Sequence, residues 1–209
     1  MLYSETVERS TLELLTELQK QDYLSGFHLV GGTALALKLG HRKSVDIDLF
    51  SNSNFDESYV LENLSADFSF NLFFSAKNTL KGSIGKVQVD ILAHRYPLIK
   101  EPTIDENISM LSVEDIVAMK LNAISVSGQR VKDFIDIYFL LNHYSIKEML
   151  SFYKQKYAQF NEVAVLKSLT WFDDVEPGEW PVILNNPNLN WEEVMQKIVW
   201  ATKQFLTSL

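Results

Sequence analysis

The sequence predicts an α+β fold: a small mixed β-sheet with flanking helices, followed by a helical bundle. Three observations carry this. Up to about residue 95 the chain holds short runs of alternating apolar residues punctuated by glycines. From Ser112 onward apolar residues recur every three or four positions, the helical period. The two patterns are segregated along the chain and do not alternate, as they would in a doubly wound sheet. Pro97 and Pro102 mark the change, so the chain divides into an α+β domain at 1–100 and a helical domain at 101–209.

The elements follow in order. Residues 5–22 read as one amphipathic helix, with Val7, Leu12, Leu14, Leu15 and Leu18 among polar residues and Gly26 as the stop. Residues 27–30 form a short apolar strand ending at Gly31-Gly32. Residues 33–39 are good helix formers, and Gly40 suits the helix C-terminus. Residues 45–50 alternate as a strand, with Val45, Ile47 and Leu49 toward the core. A helix is expected at 56–64 and strands at about 68–75, 79–84 and 86–93. Ser112 and Asp115 have the spacing of a capping box. Helices follow at 113–126, 129–142, 146–158, 162–170 and 190–207.

The 209 residues are 46% hydrophobic and 22% charged, the balance of a globular chain with a core. The longest wholly apolar run is five residues, 137–141, against about 20 for a spanning helix. No signal peptide is visible. The absence of cysteine excludes disulfides, thiolate metal sites and cysteine nucleophiles. These features point to the cytoplasm and to no membrane partner. Nineteen basic against 27 acidic residues give a net charge of -8. That argues against a large polyanion-binding surface, but not against a local basic pocket.

Specific acidic positions carry the chemistry. In a strand at 45–50, Asp46 and Asp48 share one face, with Cα atoms about 7 Å apart. Two such carboxylates repel unless a cation lies between them, and a hard divalent ion with oxygen ligands fits. A solvated strand face is the plainer alternative. Asp90 lies mid-strand in the apolar run 87–92, where a carboxylate is costly unless paired or metal-bound. If the two strands are neighbours, three carboxylates can hold two Mg²⁺ ions, an arrangement suited to in-line displacement at phosphorus.

Gly31-Gly32-Thr33 ends a strand and opens a helix, where unpaired N–H groups face an anion and glycine permits close approach. The spacing matches neither dinucleotide nor P-loop fingerprints. His41, Arg42 and Lys43 precede the aspartates, either as a solvated turn or in contact with a nucleotide or an RNA backbone. No two of the four histidines have metal-ligand spacing. Lys120 falls within the apolar arc of its helix, either snorkelling to water or facing an anion. Lys132 and Asp136 share a helix flank with Asp133 beside them. They make either ordinary ion pairs or a phosphate grip in which the aspartates orient Arg130 or Lys132.

The run Leu29-Val30-Gly31-Gly32-Thr33-Ala34-Leu35, then His41-Arg42-x-Ser44-x-Asp46-Ile47-Asp48-Leu49-Phe50, resembles the AbiEii/AbiGii toxin family of nucleotidyltransferases, within the DNA polymerase β-like superfamily. Val89-Asp90-Ile91-Leu92, Lys120, Arg130-x-Lys132-Asp133-x-x-Asp136-Ile137 and Phe172-Asp173-Asp174 are similar to its later motifs. The resemblance runs from about Phe27 to Asp174, and residues 175–209 carry no matched motif. It implies a nucleotidyltransferase sheet domain with a helical domain closing a cleft, and Mg²⁺-dependent transfer of a nucleoside monophosphate from an NTP with release of pyrophosphate. Asp46, Asp48 and Asp90 would hold two Mg²⁺ ions, and Asp90 would activate the acceptor hydroxyl. Gly31, Gly32 and Thr33 would bind the triphosphate, with His41, Arg42, Ser44, Arg130 and Asp136 also at the nucleotide. Lys120 and Lys132 would neutralise charge, and Asp133 would join the catalytic set. The family implies a toxin with a cognate antitoxin, some members modifying the 3′ end of tRNA.

Three other readings compete. A protein or small-molecule hydroxyl could be the acceptor. A glycosyltransferase would explain Asp-x-Asp but not Gly-Gly-Thr or Asp90. A non-catalytic partner-binding protein would use Trp171, Trp180, Trp191 and Trp200, which otherwise pack the helical domain.

Overall fold

The computed structural model describes residues 1–159, 161–176, 178 and 180–208. The chain forms two compact units, Met1–Ser112 and Val113–Leu209. The first is built on a seven-stranded mixed sheet, the second on helices, as the segregated periodicities predict.

The first unit opens with helix α1 (Arg9–Gln19), flanked by 3-10 turns at Ser4–Thr6 and Asp22–Leu24. The single helix expected over 5–22 is therefore corrected. Tertiary hydrogen bonds hold the entering chain out of the helix: Tyr3 N–H donates to the Leu37 carbonyl (2.9 Å), and the Thr6 carbonyl accepts from Ser44 N–H (2.9 Å). Val7 is extended and buried.

Strand β1 (His28–Leu29) leads into α2 (Gly31–Leu39), which ends on left-handed Gly40, as anticipated. β2 is Ile47–Ser51. α3 (Glu57–Phe68) is capped by the Asp56 carboxylate, which accepts from Tyr59 N–H. β3 (Asn71–Ala76), β4 (Thr79–Ile84) and β5 (Val87–Ala93) form a meander. β6 (Thr103–Asp105) and β7 (Ile108–Met110) make a hairpin absent from the sequence reading. Its two turn residues, Glu106 and Asn107, both have positive φ. Asn suits that region and Glu does not, so the local turn signal is weak.

The sheet order is β3-β4-β5-β2-β1-β7-β6. β2 runs parallel to β5 and antiparallel to β1. Leu29, Ile47, Leu49, Leu80, Val89 and Ile91 are fully buried, and each such side chain contributes about 1.5–3 kcal/mol. Val45, expected in this core, is 52% exposed. The strand begins only at Ile47, so the alternation does not reach back to it.

The second unit contains α4 (Val113–Val126), α5 (Val131–Leu140), α6 (Ile146–Lys156), α7 (Glu162–Leu169) and α8 (Trp191–Thr207). Each overlaps its expected span. Phe134 is fully buried and meets Phe172 and Trp191 edge-on, at 5.5 and 5.8 Å between ring centroids. Trp191 thus packs the unit as expected. Trp171, Trp180 and Trp200 do not; they are exposed. No helix among the described residues is long and apolar enough to cross a membrane.

Candidate active site

In the sheet unit, the register of β2 against β5 pairs Asp48 with Asp90 directly. Side chains in register on neighbouring strands share a face, with strands about 4.8 Å apart. Ile47, Leu49, Val89 and Ile91 fill the opposite, buried face. The two aspartates are therefore held side by side by the same alternation that builds the core. Asp46 lies just before β2, so it is not a strand partner of Asp48 as expected. Its backbone carbonyl accepts a hydrogen bond from the Thr33 hydroxyl, whose oxygen in turn accepts from the Ser44 hydroxyl (2.9 Å).

The glycine pair forms the first turn of α2. Gly31 has φ of +70°, and a Cβ there would collide with the Asp48 carboxylate. A Cβ on Gly32 would collide with the Arg42 guanidinium. The helix start thus has the Asp48 carboxylate close against Gly31 and the Arg42 guanidinium close against Gly32. Arg42 and His41 are buried, which removes the solvated-turn reading for them; Lys43 is exposed. Arg42 Nη1 donates to the Lys43 carbonyl (3.0 Å). Thr33 is buried with its hydroxyl engaged, so it and Ser44 fix the segment that presents Asp46.

One neighbour was missed in the sequence. Lys81 Nζ lies 2.7 Å from Asp90 Oδ2, and the two residues are register partners in β4 and β5. Counting outward from the two-residue turn at Gly85 and Lys86 could have found this pair. Among the described residues, no group of three or more Asp, Glu or His side chains is closed around a metal position. The donor chemistry of Asp46, Asp48 and Asp90 still fits a hard divalent cation: carboxylate oxygens only, partly exposed, two of them in register.

The helical unit brings together Lys120, Asp133 and Asp136. Lys120 Nζ lies 2.6 Å from Asp133 Oδ1 and 2.7 Å from Asp136 Oδ2, and all three side chains are buried. The aspartates were expected to orient Arg130 or Lys132. They converge on Lys120, because α5 turns its first and second acidic positions inward to α4. Arg130, just ahead of α5, is exposed and reaches Asp133 Oδ2 at 3.8 Å. Lys132 has no ion-pair partner among the described residues. A second buried pair, Lys156 Nζ to Asp115 Oδ1 at 2.7 Å, joins α6 to α4. Asp174 accepts from Trp171 Nε1 (2.9 Å), while Phe172 packs inward.

A family model described as nucleotidyl transferase AbiEii toxin, type IV TA system, matches residues 13–99 and 67–201. The match extends beyond the Phe27–Asp174 span read from motifs, into the final helix. An uncharacterized protein of Aquifex aeolicus (strain VF5) is 27% identical over 206 residues, covering 96% of this chain and 98% of that one. The fold is similar to a crystal structure of a proposed nucleotidyltransferase from H. pylori, with TM-score 0.61, 16% identity and 97% of each chain covered. It is also similar to MenT4, a nucleotidyltransferase toxin of Mycobacterium tuberculosis H37Rv. There the TM-score is 0.58 and the identity 15%, over 97% of this chain and 86% of that one.

Proposed function

We propose Mg²⁺-dependent transfer of a nucleoside monophosphate from an NTP to an RNA 3′ end, such as that of tRNA, for this chain, which belongs to the AbiEii family of nucleotidyltransferase toxins. Family membership implies a nucleotide substrate and an antitoxin partner. The observation that carries the finer reading is the in-register pair Asp48 and Asp90 beside the glycine-opened start of α2.

Asp46, Asp48 and Asp90 are the residues that would hold the metal. When bound, Mg²⁺ supplies positive charge at the reacting phosphate and the departing pyrophosphate. The chain's own groups do the rest. The N–H groups at Gly31 and Gly32, with Arg42, bind the triphosphate. Thr33 and Ser44 position the loop carrying Asp46. Asp90 takes the proton of the acceptor hydroxyl as its oxygen bonds to the α-phosphorus and the bond to the β-phosphate oxygen breaks. Within the helical unit, Asp133 and Asp136 fix the Lys120 ammonium.

The test is incubation of the full chain with Mg²⁺, total tRNA and each of four α-³²P-labelled NTPs, beside Asp46→Ala. Label on RNA that vanishes in the variant is the expected result. Label on protein or on a small molecule moves the acceptor to that class. Absence of both transfer and nucleotide binding overturns the reading.

A further inference from the structure

We propose that the acceptor lies across β4 and β3, its terminal base stacked on Phe74 and a backbone phosphate on Lys81. This rests on the nucleotidyl-transfer reading above and adds where and how the acceptor is held. The strand register sets out one row of side chains. Asp48 pairs with Asp90, Asp90 with Lys81, and Lys81 with Phe74. At about 4.8 Å per strand the row runs about 14 Å from β2 to the sheet edge at β3, all on the carboxylate face.

Direction comes from the reaction. In-line displacement places the attacking and leaving oxygens on opposite sides of phosphorus. Gly31 and Gly32 follow β1, which borders β2 on the side away from β5. The triphosphate therefore occupies the β1 end of the row, and the hydroxyl arrives from the β5–β4–β3 end.

The chemistry of that end suits a nucleic acid. Phe74 is 53% exposed, an aromatic platform at an edge where burial does not require one. A β-bulge between Leu72 and Phe74 shifts the register so that Phe74, and not Phe73, stands opposite Lys81. Bulges re-aim side chains in this way. The three strands and their turns, 71–93, carry Lys77, Lys81 and Lys86 against the single Asp90, a net of +2 in a chain of net -8. The Lys81 side chain is 44% exposed, so its ammonium can exchange Asp90 for a phosphate.

The test measures binding apart from transfer. A fluorescein-labelled single-stranded oligoribonucleotide is titrated with the full chain, without NTP or metal, and followed by anisotropy. Phe74→Ala is expected to weaken binding about 5- to 100-fold, the range for one lost base–aromatic stack. Phe74→Tyr restores it. Lys81→Gln lowers the salt slope by about one phosphate contact. Leu72→Ala, on the same strand but opposite the buried row at Gly82, leaves affinity unchanged. In transfer assays Phe74→Ala raises the KM for tRNA and not for NTP. Equal oligonucleotide affinity in wild type and Phe74→Ala overturns the proposal. So does a wild type that labels protein while ignoring the oligonucleotide, and in that case the transfer chemistry survives. A wild type that neither binds NTP nor transfers it sinks the chemistry itself.

Discussion

The two units treat their charges in opposite ways. In the sheet unit, Asp48 and Asp90 are partly exposed, and the Lys81 ammonium on Asp90 is itself close to half exposed. In the helical unit, Lys120 with Asp133 and Asp136 is buried, and Lys156 with Asp115 is sealed from solvent completely. Exposed pairs in water are worth about 0–1 kcal/mol and exchange partners freely. Buried pairs are weak net stabilisers, yet removing one partner leaves a charge stranded. Mutations in the first set should therefore change chemistry and spare the fold, while mutations in the second should change the fold.

The strongest contrast is expected at Asp48. Asp48→Ala should reduce transfer by at least about 10³-fold, since charge stabilisation at such sites is worth several kcal/mol. Thermal unfolding should stay within a few degrees of wild type. A variant with near-normal turnover breaks the assignment. At Asp115 the reverse holds. Asp115→Ala should lose about 3–5 kcal/mol in urea unfolding, and the double change to Asp115→Leu with Lys156→Met should recover most of it. A loss below about 1 kcal/mol would put this pair with the exposed ones.

Lys120 sharpens the comparison, because it is buried like the second set and assigned chemistry like the first. Lys120→Met strands two carboxylates and should also cost about 3–5 kcal/mol. Adding Asp133→Asn and Asp136→Asn should restore stability. If transfer returns with stability, the role of the Lys120, Asp133 and Asp136 cluster is structural; if it stays lost, the cluster as a whole is needed for the chemistry. A smaller effect is expected at the start of α6, where Ser145 and Glu148 form a complete capping box. Ser145→Ala should cost about 1 kcal/mol in unfolding experiments.

The smallest effect concerns pH. Burial lowers the His28 pKa, while Glu101 opposes the shift. A depressed folded pKa makes the neutral ring the stabilising form. That contribution is complete above the ordinary histidine pKa of 6.5 and is lost as pH falls through the folded value. His28→Gln should flatten the acid side of the stability profile between those limits; an unchanged profile removes the assignment.

Much of this was legible from local pattern. Helix spans in the second unit follow directly from apolar periodicity, and Gly40 closes α2 as its type predicts. The strand at β2 was readable because Ile47 and Leu49 alternate with Asp48, though its start was placed too early at Val45. The break of the first helix was not readable, since it depends on hydrogen bonds from residues 3–6 to residues 37–44. The β6–β7 hairpin was missed because Glu106 takes a backbone conformation its residue type disfavours. The exposure of three tryptophans was missed because composition reports hydrophobicity and not position.

By itself the sequence determined which residue types lie at chemically useful spacings: two glycines at a helix start, two aspartates across one residue, and a third aspartate in a later strand. These are local facts, fixed by the pitch of strand and helix. Only the tertiary structure decided who stands beside whom. Parallel pairing of β2 with β5 set Asp48 against Asp90, and the bulge in β3 set Phe74 against Lys81. The approach of α5 to α4 turned Asp133 and Asp136 to Lys120 and away from Lys132. The physical reason is that pairing between distant segments is selected by the burial of whole faces, which no short window of sequence contains.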